Sequence, residues 1–552
     1  MKRLNFVIPV IFLAAFFLAA GSEAQDLCSE PVITAEGKVI GVADEKQPVC
    51  VYKGVPYAAP PVGKLRFRPP APPRKRAELF KADQYSAECV QGGGAMPGVR
   101  AVPRSEDCLY LNIWRPQKSG KFPVMLWIHG GSLTSGSGVI PLYFGDRLAQ
   151  KDVVVITINY RLAWLGFLAH RDLSAEDPNN SSGNYGLLDQ IEALKWVKRN
   201  IAGFRGDPDN VTIFGESAGG WSVCNLLASP PAAGFFSKAI IESGGCQVAT
   251  SLEQGYELGE QFAKEAGCEF RDPIPCLRGK TTEEIELARE VYKPKENLRL
   301  EKEGKQKSGG ALSLEDAKFE WTPRVDGWVL DAVPIEAIRS GNFNRVPLMV
   351  GTNKDEFKLF LIAAPGARSL IPKSFISKEL YSILGADTAA GIERLYPYKD
   401  YRKPLDAVGD ALGDAALGCP CYQAAEGVSK YAPVYYYRFD FTKHRFPHMI
   451  GAAHAVEIPF IFDTLDRGPA NLIASKKQRQ NARPLVNDMM GYWTNFAKTG
   501  NPNDPASAGL TPWPKYDTVK RERMYLDIPV KAQTTDNVEK CEFWRRHDIM
   551  KQ

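Results

Sequence analysis

Short apolar runs separated by amphipathic segments are the main pattern along this chain. Residues 122–129 and 153–160 form continuous apolar runs, which are typical of strands buried on both faces of a sheet. Between 186 and 200, apolar residues recur every three or four positions, which predicts an amphipathic helix. Further strands are predicted at 109–114, from 211 onwards, and at 238–242, 346–351 and 434–441. Buried strands that alternate with helices predict an α/β fold, in which a mostly parallel sheet carries helices on both faces.

The remaining segments of the chain have weaker patterns. Residues 31–42 alternate between apolar and polar positions, which predicts a short hairpin centred on 36–38. Residues 51–73 are rich in proline and are predicted to be largely irregular. The charged segment 293–310 is predicted to be a solvated surface loop, the alternative being a basic lip that attracts anionic substrates. Because no internal repeat or long linker is present, we predict a single domain over 25–552.

The first residues carry the pattern of an export signal. A basic start at 1–3 is followed by an apolar run at 4–20 and by small residues at Ser22 and Ala24, so cleavage is predicted after Ala24. The alternative is an uncleaved membrane anchor, for which the apolar run sits at the lower limit of length. No later segment is apolar enough to span a bilayer. We therefore expect a secreted or periplasmic protein without a stable membrane anchor.

Composition narrows the possible partners. The chain has 552 residues, of which 44% are hydrophobic, so it can bury a large core. Its formal net charge of +5 is small for this length, and nothing in that balance points to nucleic acid. Eleven cysteines in an exported chain predict disulfides with at least one thiol left over.

Spacing alone places several of these cysteines. The short loops that could close easily are Cys89 with Cys108 and Cys268 with Cys276. Two others, Cys28 and Cys50, flank the predicted hairpin, and their pairing is left open.

The remaining cysteines are more ambiguous. Cys541 is expected to pair with either Cys419 or Cys421. Cys224 is expected to be a buried free thiol, and the same is expected of Cys246.

The stretch around Ser217 carries the most specific chemical pattern. A run of β-formers at 211–214 breaks into G-x-S-x-G at 215–219 and then into a segment compatible with a helix. This context is that of a nucleophile elbow, where a tight turn holds a serine hydroxyl at the carboxyl edge of a sheet. The amide of Ala218, the first in the helix, can donate to a developing oxyanion. The alternative is a serine at a glycine-rich turn that serves only close packing.

A serine hydroxyl needs a base, and the base needs a third group to orient it; in this context both follow the serine along the chain. His454 follows small residues after the 434–441 strand, where a loop could carry an imidazole over the sheet edge. His444 and His448 lie in a turn that contains Lys, Arg and Pro, and they are expected to be exposed. The alternative for His454 is a hydrogen-bonded structural histidine.

Two further parts of a site can be placed on the strands. The acid should follow the strand at 346–351, where Asp355 and Glu356 are adjacent candidates that local chemistry cannot separate. Upstream, the sequence HGGS at 129–132 ends a buried strand. Its glycines let backbone amides turn towards a reacting carbonyl without a Cβ in the way. A Gly-Gly pair after a strand is also common as a plain turn.

Together these residues resemble the type-B carboxylesterase and cholinesterase family of the α/β-hydrolase superfamily. The similarity spans nearly the whole mature chain, and several of the matching stretches are long and specific. They are SEDCLYLN at 105–112, HGGS at 129–132, NYRLAWLGFL from 159, GNYGLLDQIEALKWV from 183, FGESAGG from 214, GTNKDE from 351, HAVEIPFIF from 454 and FAKTGNP from 496.

The resemblance implies a catalytic triad of Ser217, Glu356 and His454, since the family's preference for Glu decides against Asp355. It also implies backbone oxyanion donors and two further side chains close to the triad. The donors are Gly131, Ser132 and Ala218, and the two nearby side chains are Glu216 and Ser243. A serine at 132 departs from the more frequent Gly or Ala, which leaves the backbone donor intact but narrows the room beside it.

The resemblance further implies disulfides and buried ion pairs. The disulfides are Cys89–Cys108, Cys268–Cys276 and Cys419–Cys541, and the ion pairs are Arg66 with Glu106 and Arg161 with Asp189.

As a function, the resemblance implies a serine carboxylesterase that hydrolyses small-molecule esters through an acyl-enzyme, with no metal and no cofactor. Cholinesterases hold a quaternary ammonium over a Trp in the loop closed by the first disulfide. The loop between Cys89 and Cys108 is shorter here and has no aromatic residue, so choline esters are not expected to be favoured. The alternatives are a lipase for longer-chain glycerides, which would need an apolar lid, and a non-catalytic adhesion-type relative. Oligomeric state is left open.

Overall fold

The computed structural model describes residues 27–92, 101–269, 272–288, 321–363, 385–503, 509–535 and 537–547. The predicted signal peptide at 1–24 and the predicted surface loop at 293–310 lie outside these residues. Of the helices that the structure describes, none has both the length and the apolar character needed to cross a bilayer.

An eleven-stranded sheet organises the described part of the chain, and three small sheets accompany it. The strands in chain order are β1 (Val32–Thr34), β2 (Gly37–Ile40), β3 (Val42–Ala43), β4 (Val49–Pro56), β5 (Phe80–Lys81), β6 (Glu88–Cys89), β7 (Arg104–Ser105), β8 (Tyr110–Pro116), β9 (Phe122–Ile128), β10 (Val154–Ile158), β11 (Gly206–Glu216), β12 (Lys238–Glu242), β13 (Thr250–Ser251), β14 (Arg324–Val325), β15 (Leu348–Asn353), β16 (Val434–Phe439), β17 (Glu522–Leu526) and β18 (Lys531–Thr534). The large sheet has the order β18-β17-β16-β15-β12-β11-β9-β10-β8-β4-β3. The strands from β17 to β10 in this order are parallel, and antiparallel strands lie at both edges.

Helices connect the parallel strands and cover the sheet. They are α1 (Asp146–Ala149), α2 (Ala163–Phe167), α3 (Arg171–Ala175), α4 (Tyr185–Asn200), α5 (Ala218–Ala228), α6 (Leu252–Glu265), α7 (Pro273–Gly279), α8 (282–288), α9 (Pro334–Ser340), α10 (Lys358–Ala363), α11 (Ala386–Leu395), α12 (Pro404–Gly413), α13 (Cys419–Ser429), α14 (Ile458–Ile461), α15 (Gly468–Ile473), α16 (Lys476–Thr499) and α17 (Val538–Arg546). A π-helical turn, Asp414–Gly418, joins α12 to α13. Short 3₁₀ turns lie at Gly63–Leu65, Pro141–Tyr143, Ile201–Phe204, Pro230–Ala232 and Tyr398–Asp400.

The side chains of β9 show why the central strands read as continuous apolar runs. Val124, Leu126 and Ile128 belong to the hydrophobic core on one face of the sheet. Met125 and Trp127 belong to the core on the opposite face, and all five side chains are fully buried. Because helices cover both faces, neither set of alternating positions needs to be polar.

The predicted α/β fold with a mostly parallel sheet is confirmed. The helix predicted at 186–200 is α4, and the strand predicted at 238–242 coincides with β12. The other predicted strands correspond to β8, β9, β10, β11, β15 and β16 with small differences at their ends. The predicted amino-terminal hairpin is the antiparallel pair of β1 and β2.

The prediction that 51–73 is largely irregular is wrong at its start. Strand β4 runs from Val49 to Pro56 and pairs antiparallel with β8 inside the large sheet. The register shifts between Tyr52 and Val55, where Gly54 takes a positive φ of 64°. This bulge and the prolines that follow break the alternation by which a strand is normally identified.

All eleven cysteines lie within the described residues, and the structure contains five disulfides and one free thiol. The pairs are Cys28–Cys50, Cys89–Cys108, Cys224–Cys246, Cys268–Cys276 and Cys419–Cys541. The prediction of free thiols at Cys224 and Cys246 is wrong, since the two Cα atoms are 5.1 Å apart and the sulfurs are bonded. Cys224 lies on α5 and Cys246 follows β12, and sequence spacing does not reveal that this loop returns to the helix. The free cysteine is Cys421, which is buried.

Candidate active site

Ser217 lies at the turn between β11 and α5. Its φ of 58° and ψ of −123° place a non-glycine residue in a region of backbone space that costs energy. Two main-chain hydrogen bonds hold this turn. The Ser217 N–H donates to the Glu242 carbonyl at 2.9 Å, and the Trp221 N–H donates to the Ser217 carbonyl at 3.0 Å. The neighbouring strand and the first turn of the helix therefore fix the position of the serine.

The glycines around Ser217 are required by close approach of the backbone. A Cβ on Gly219 would lie 2.0 Å from the Ile128 carbonyl oxygen, and a Cβ on Gly215 would lie 2.6 Å from the same atom. A Cβ on Gly130 would lie 3.0 Å from the Ser217 Cβ. The end of β9 therefore packs directly against the elbow, and larger side chains at these positions would separate the two.

His454 and Glu356 contact each other directly. The Nδ1 of His454 lies 2.7 Å from Oε2 of Glu356. The other carboxylate oxygen, Oε1, accepts from the Ser243 hydroxyl at 2.6 Å and from the Asn353 N–H at 2.7 Å. Glu356 is only 3% exposed, so these donors replace the water that a carboxylate would otherwise bind. The arrangement fixes the orientation of the imidazole.

The adjacent carboxylate, Asp355, has different partners. Its Oδ2 accepts from the Ala452 N–H at 2.8 Å, and its Oδ1 lies 2.7 Å from the Lys358 ammonium. Of the two carboxylates that local chemistry could not separate, it is therefore Glu356 that contacts His454.

The second nitrogen of His454 faces the elbow. Its Nε2 lies 3.0 Å from Oε1 of Glu216, the residue immediately before Ser217. Burial lowers the pKa of His454, but Glu216 and Glu356 together raise it to about 9. Burial raises the pKa of Glu216, and the positive charge of His454 lowers it by a smaller amount. The imidazole therefore has a carboxylate at each nitrogen.

Two more buried carboxyl groups lie in this region, and the sequence analysis did not single them out. The Trp493 indole N–H donates to Oε1 of Glu242 at 2.8 Å, and burial raises the pKa of Glu242 to about 8. The Asn353 side-chain amide donates to Glu457, whose pKa burial also raises well above its usual value. In the sequence, Glu242 immediately precedes Ser243, and Glu457 follows His454 by three positions.

The loop after β9 has the backbone geometry of a tight reversal. Gly131 has a φ of 111°, and Ser132 and Leu133 have φ values of 55° and 59°. The Gly131 carbonyl accepts from the N–H groups of Thr134 and Ser135, each at 3.0 Å. A Cβ on Gly131 would lie 2.2 Å from the Ser135 carbonyl oxygen, so only glycine fits.

Ala218 begins the helix on the other side of Ser217. As the first residue of α5, its N–H has no acceptor within the helix. The loop that carries Gly131 and Ser132 contacts the elbow through Gly130, so the predicted oxyanion donors lie on two adjoining segments.

An aromatic side chain that the sequence analysis missed stands beside the imidazole. The ring centroid of Phe360 on α10 is 5.2 Å from that of His454, and Phe360 is 46% exposed. Phe357 packs against Phe360 with a centroid separation of 5.1 Å. The only sequence signal was the spacing of two phenylalanines shortly after Glu356.

Other histidines have structural environments. His129 is buried, its Nδ1 lies 2.8 Å from the Gly130 carbonyl, and burial lowers its pKa to about 4, so the ring is neutral near pH 7. His448 is exposed as predicted, whereas the prediction for His444 is wrong. His444 is 6% exposed because its Nδ1 accepts from the Phe446 N–H and its Nε2 lies 2.8 Å from the Gly451 carbonyl.

Both ion pairs implied by the resemblance are present. The Nε of Arg66 donates to Oε2 of Glu106 at 2.7 Å. Arg161 donates to both carboxylate oxygens of Asp189 at 2.8 and 2.7 Å, and both side chains are fully buried. Within the described residues, no group of three or more His, Cys, Asp or Glu side chains has the arrangement of a metal site.

The chain is similar to known esterases. Residues 29–544 match the model of the Carboxylesterase family. The para-nitrobenzyl esterase of Bacillus subtilis (strain 168) is 37% identical over 514 residues, which cover 92% of this chain and 97% of that protein. The fumonisin B1 esterase of Sphingopyxis macrogoltabida is 34% identical over 496 residues, covering 88% of this chain and 84% of that protein. Carboxylesterase 1F of Mus musculus is 34% identical over 586 residues, covering 98% and 99%.

Solved structures show the same relationship. A PNB esterase structure superposes with a TM-score of 0.76 at 35% identity, covering 94% of this chain and 100% of the other. A thermophylic PNB esterase gives a TM-score of 0.78 at 34% identity with the same coverage. The chain therefore belongs to the carboxylesterase family and is a carboxylic ester hydrolase with the α/β-hydrolase fold.

Proposed function

We propose that the chain, as a single domain over 25–552, hydrolyses small-molecule esters through an acyl-enzyme on Ser217, with His454 as the base and Glu356 as the group that orients it. The observation that carries this proposal is the 2.7 Å contact between His454 Nδ1 and Glu356 Oε2, on an imidazole whose Nε2 edge faces the elbow. A proton acceptor held in one orientation beside the turn that carries the serine is what a serine nucleophile requires.

In the first step, the Ser217 hydroxyl oxygen attacks the ester carbonyl while its proton passes to Nε2 of His454. The carbonyl π electrons move to oxygen, and the amides of Gly131, Ser132 and Ala218 donate to the resulting oxyanion. Each such donor contributes about 3 kcal/mol to the transition state. Collapse of the tetrahedral species breaks the bond to the alcohol oxygen, which takes the proton from His454 as it leaves.

In the second step, water attacks the acyl-enzyme. His454 accepts a proton from the water, the oxyanion forms again, and the ester bond to Ser217 breaks as the serine oxygen regains its proton. The carboxylic acid is released and the free enzyme is restored. Glu356 keeps its negative charge throughout and stabilises the imidazolium that forms in each step. The chain's own residues supply every proton transfer in this sequence.

The side chains around His454 favour esters with apolar groups. Phe360 and Phe357 offer an aromatic surface beside the imidazole, against which an acyl or aryl group can pack. The loop closed by Cys89 and Cys108 has no aromatic residue to hold a quaternary ammonium, so choline esters are poor substrates. A p-nitrobenzyl ester is a suitable test substrate because a relative at 37% identity is named for it.

The five disulfides support a location outside the reducing cytosol. We propose that residues 1–24 are the signal peptide that directs export to the periplasm or the medium. Mass spectrometry of the mature protein's amino terminus tests this, since it should begin at Gln25. A mature protein that retains residues 1–24 would contradict it.

A fluorophosphonate probe tests the nucleophile directly, because it forms a covalent adduct only with an activated serine. The wild type should carry one adduct on the tryptic peptide that contains Ser217. Ser217→Ala should lose the adduct and at least about 10⁴-fold of p-nitrophenyl ester turnover, with an unchanged melting temperature. Ser222→Ala is the matched control, because Ser222 lies on α5 and its hydroxyl donates to the Ala218 carbonyl. Labelling or turnover retained by Ser217→Ala would overturn the proposal.

A further inference from the structure

A loop that leads towards His454 exposes several large apolar side chains. This loop, residues 443–449, follows β16 and precedes His454. Phe446 is 41% exposed and Met449 is 50% exposed. Leu472, at the end of α15 beside the loop, is 51% exposed. Single exposed apolar residues are common on protein surfaces, but a group of them marks an interaction surface.

Hydrogen bonds give this loop a defined shape. The Arg445 guanidinium donates to the Leu472 carbonyl at 3.2 Å, which joins the loop to α15. The buried ring of His444 accepts from the Phe446 N–H at 3.2 Å and lies 2.8 Å from the Gly451 carbonyl, so it connects the two ends of the loop. The apolar side chains are therefore held outwards by a fixed backbone.

Basic residues flank these apolar side chains along the chain. Residues 441–456 and 467–487 contain no Asp or Glu. The basic residues in these segments are Lys443, Arg445, Arg467, Lys476, Lys477, Arg479 and Arg483. Two of them, Arg467 and Arg483, pair with aspartates. Within the part of the chain that the structure describes, the other five form no ion pair.

A polar groove of about 590 Å³ continues this basic surface at the start of α16. Its two carboxylates, Asp463 and Asp466, are already paired with arginines. Lys476 and Arg479 also line the groove, and their charges are left without a carboxylate partner. The groove and the loop thus form one cationic face with apolar residues on it.

We propose that this face, made of residues 443–449 and 472–479, binds reversibly to the surface of an anionic phospholipid bilayer. Phe446, Met449 and Leu472 enter the boundary between headgroups and acyl chains, while the lysines and arginines stay level with the lipid phosphates. Exposed aromatic and aliphatic side chains flanked by cations are the combination that such a surface attracts. Because the loop leads to His454 at the carboxyl edge of the sheet, the bound protein turns its proposed active site towards the lipid.

Co-sedimentation of the whole disulfide-bonded protein with vesicles tests the proposal. One set of vesicles contains phosphatidylcholine alone, and the other contains equal amounts of phosphatidylcholine and phosphatidylglycerol. We expect binding to the second set only, and its loss at about 1 M salt, where the Debye length is about 3 Å. Equal binding to both sets, or binding to neither, would overturn the proposal.

Two substitutions test the apolar part of the face. Phe446→Ser combined with Met449→Ser should weaken vesicle binding about tenfold, because both side chains lose their burial in lipid. Val519→Ser is the matched control, since Val519 is 90% exposed and lies before β17. It is therefore at the amino ends of the parallel strands, whereas the loop lies at their carboxyl ends. Both proteins should keep the wild-type melting temperature and p-nitrophenyl butyrate turnover. Unchanged binding by the double variant would overturn the proposal.

The charged part is tested separately. The double variant Lys476→Gln, Lys477→Gln should bind the vesicles about 25-fold more weakly, because each lysine near an anionic membrane contributes about 1 kcal/mol to the binding free energy. The control is Lys430→Gln with Lys515→Gln, two exposed lysines near the start of β16. Dependence on the lysines but not on the apolar residues would assign the face to an anionic polymer such as heparin and overturn the lipid proposal. Ser217→Ala should bind vesicles as the wild type does, so lipid binding and the proposed catalysis can fail independently.

Discussion

A Cβ built on Gly413 would lie 3.3 Å from the Cβ of Glu356, so the end of α12 packs directly against the proposed triad acid. Because this contact is already tight, a methyl group at 413 requires a shift of a few tenths of an ångström, which we expect to move Glu356 relative to His454. We expect Gly413→Ala to lower kcat for p-nitrophenyl butyrate about tenfold with little change in KM, since a small misplacement of a catalytic group is costly. Steady-state kinetics and a thermal melt measure the two effects separately.

Gly279→Ala is the control for that substitution. Gly279 ends α7, and a Cβ built there has nothing within 4 Å, so the same methyl group should leave kcat unchanged. If Gly413→Ala kept the wild-type kcat as well, the packing of α12 would have no part in positioning Glu356.

The pH dependence of hydrolysis should respond to Glu216. His454 must be neutral to accept a proton, so kcat/KM rises with pH through the pKa of His454. The carboxylate of Glu216, 3.0 Å from Nε2, raises that pKa through its negative charge. Glu216→Gln should therefore move the rising limb of the profile to lower pH by about one pH unit. A rising limb that stays in place or moves to higher pH in Glu216→Gln would contradict this prediction. The control is Glu257→Gln, on the exposed side of α6, which should leave the pH profile unchanged.

The sequence predicted the central strands well because burial on both faces leaves a continuous apolar run. β12 was predicted to the residue for this reason, and α4 was recognised by its helical spacing. β4 was missed because its pairing with β8 depends on a bulge at Gly54, and local pattern gives no sign of such a bulge. A strand or helix is therefore predicted well when the pattern within its own segment determines it. The prediction fails when the element depends on the strand with which it pairs.

The same limit applies to the candidate site. Chain order pointed to a carboxylate at 355 or 356, and it was the family resemblance that favoured Glu356. The partners of the two groups come from other segments: Asp355 accepts from the Ala452 N–H on a distant loop, and Glu356 contacts His454. Glu242 and Glu457 were not noticed because an isolated glutamate in a sequence is usually a surface residue. Their burial depends on donors from other segments, Trp493 and Asn353.

The disulfide between Cys224 and Cys246 leads to a chemical prediction. Alkylation of the denatured, non-reduced protein should modify one thiol, on Cys421, because the other ten cysteines are bonded. In the native protein Cys421 should not react, since burial raises the pKa of its thiol. Peptide mapping by mass spectrometry identifies the modified residue. Alkylation of Cys224 or Cys246 in the non-reduced protein would contradict the structure.

Removal of the disulfide between Cys224 and Cys246 should also lower the stability of the folded protein. The two cysteines are 22 residues apart, and a loop of this size is worth about 3 kcal/mol in the unfolded chain. The double variant Cys224→Ala, Cys246→Ala should therefore have a melting temperature several degrees lower than the wild type. Its esterase activity should also be lower, because the disulfide joins α5 to the loop after β12. Cys421→Ala is the comparison, as it changes a buried cysteine without breaking a bond.

Glu242 should make the stability of the protein depend on pH in an unusual direction. Burial raises its pKa in the folded protein to about 8, whereas in the unfolded chain a glutamate titrates near its usual pKa of about 4.3. Between these two values the folded protein holds a proton that the unfolded chain releases, so the contribution of this group to stability is complete below about pH 4 and is lost as the pH rises to about 8.

Glu242→Gln keeps an acceptor for the Trp493 indole and removes the titration. The melting temperature of the variant should therefore rise relative to the wild type between about pH 4 and about pH 8. Glu257→Gln, an exposed change, should show no such trend, and a constant difference for Glu242→Gln would mean that this carboxyl titrates normally in the folded protein.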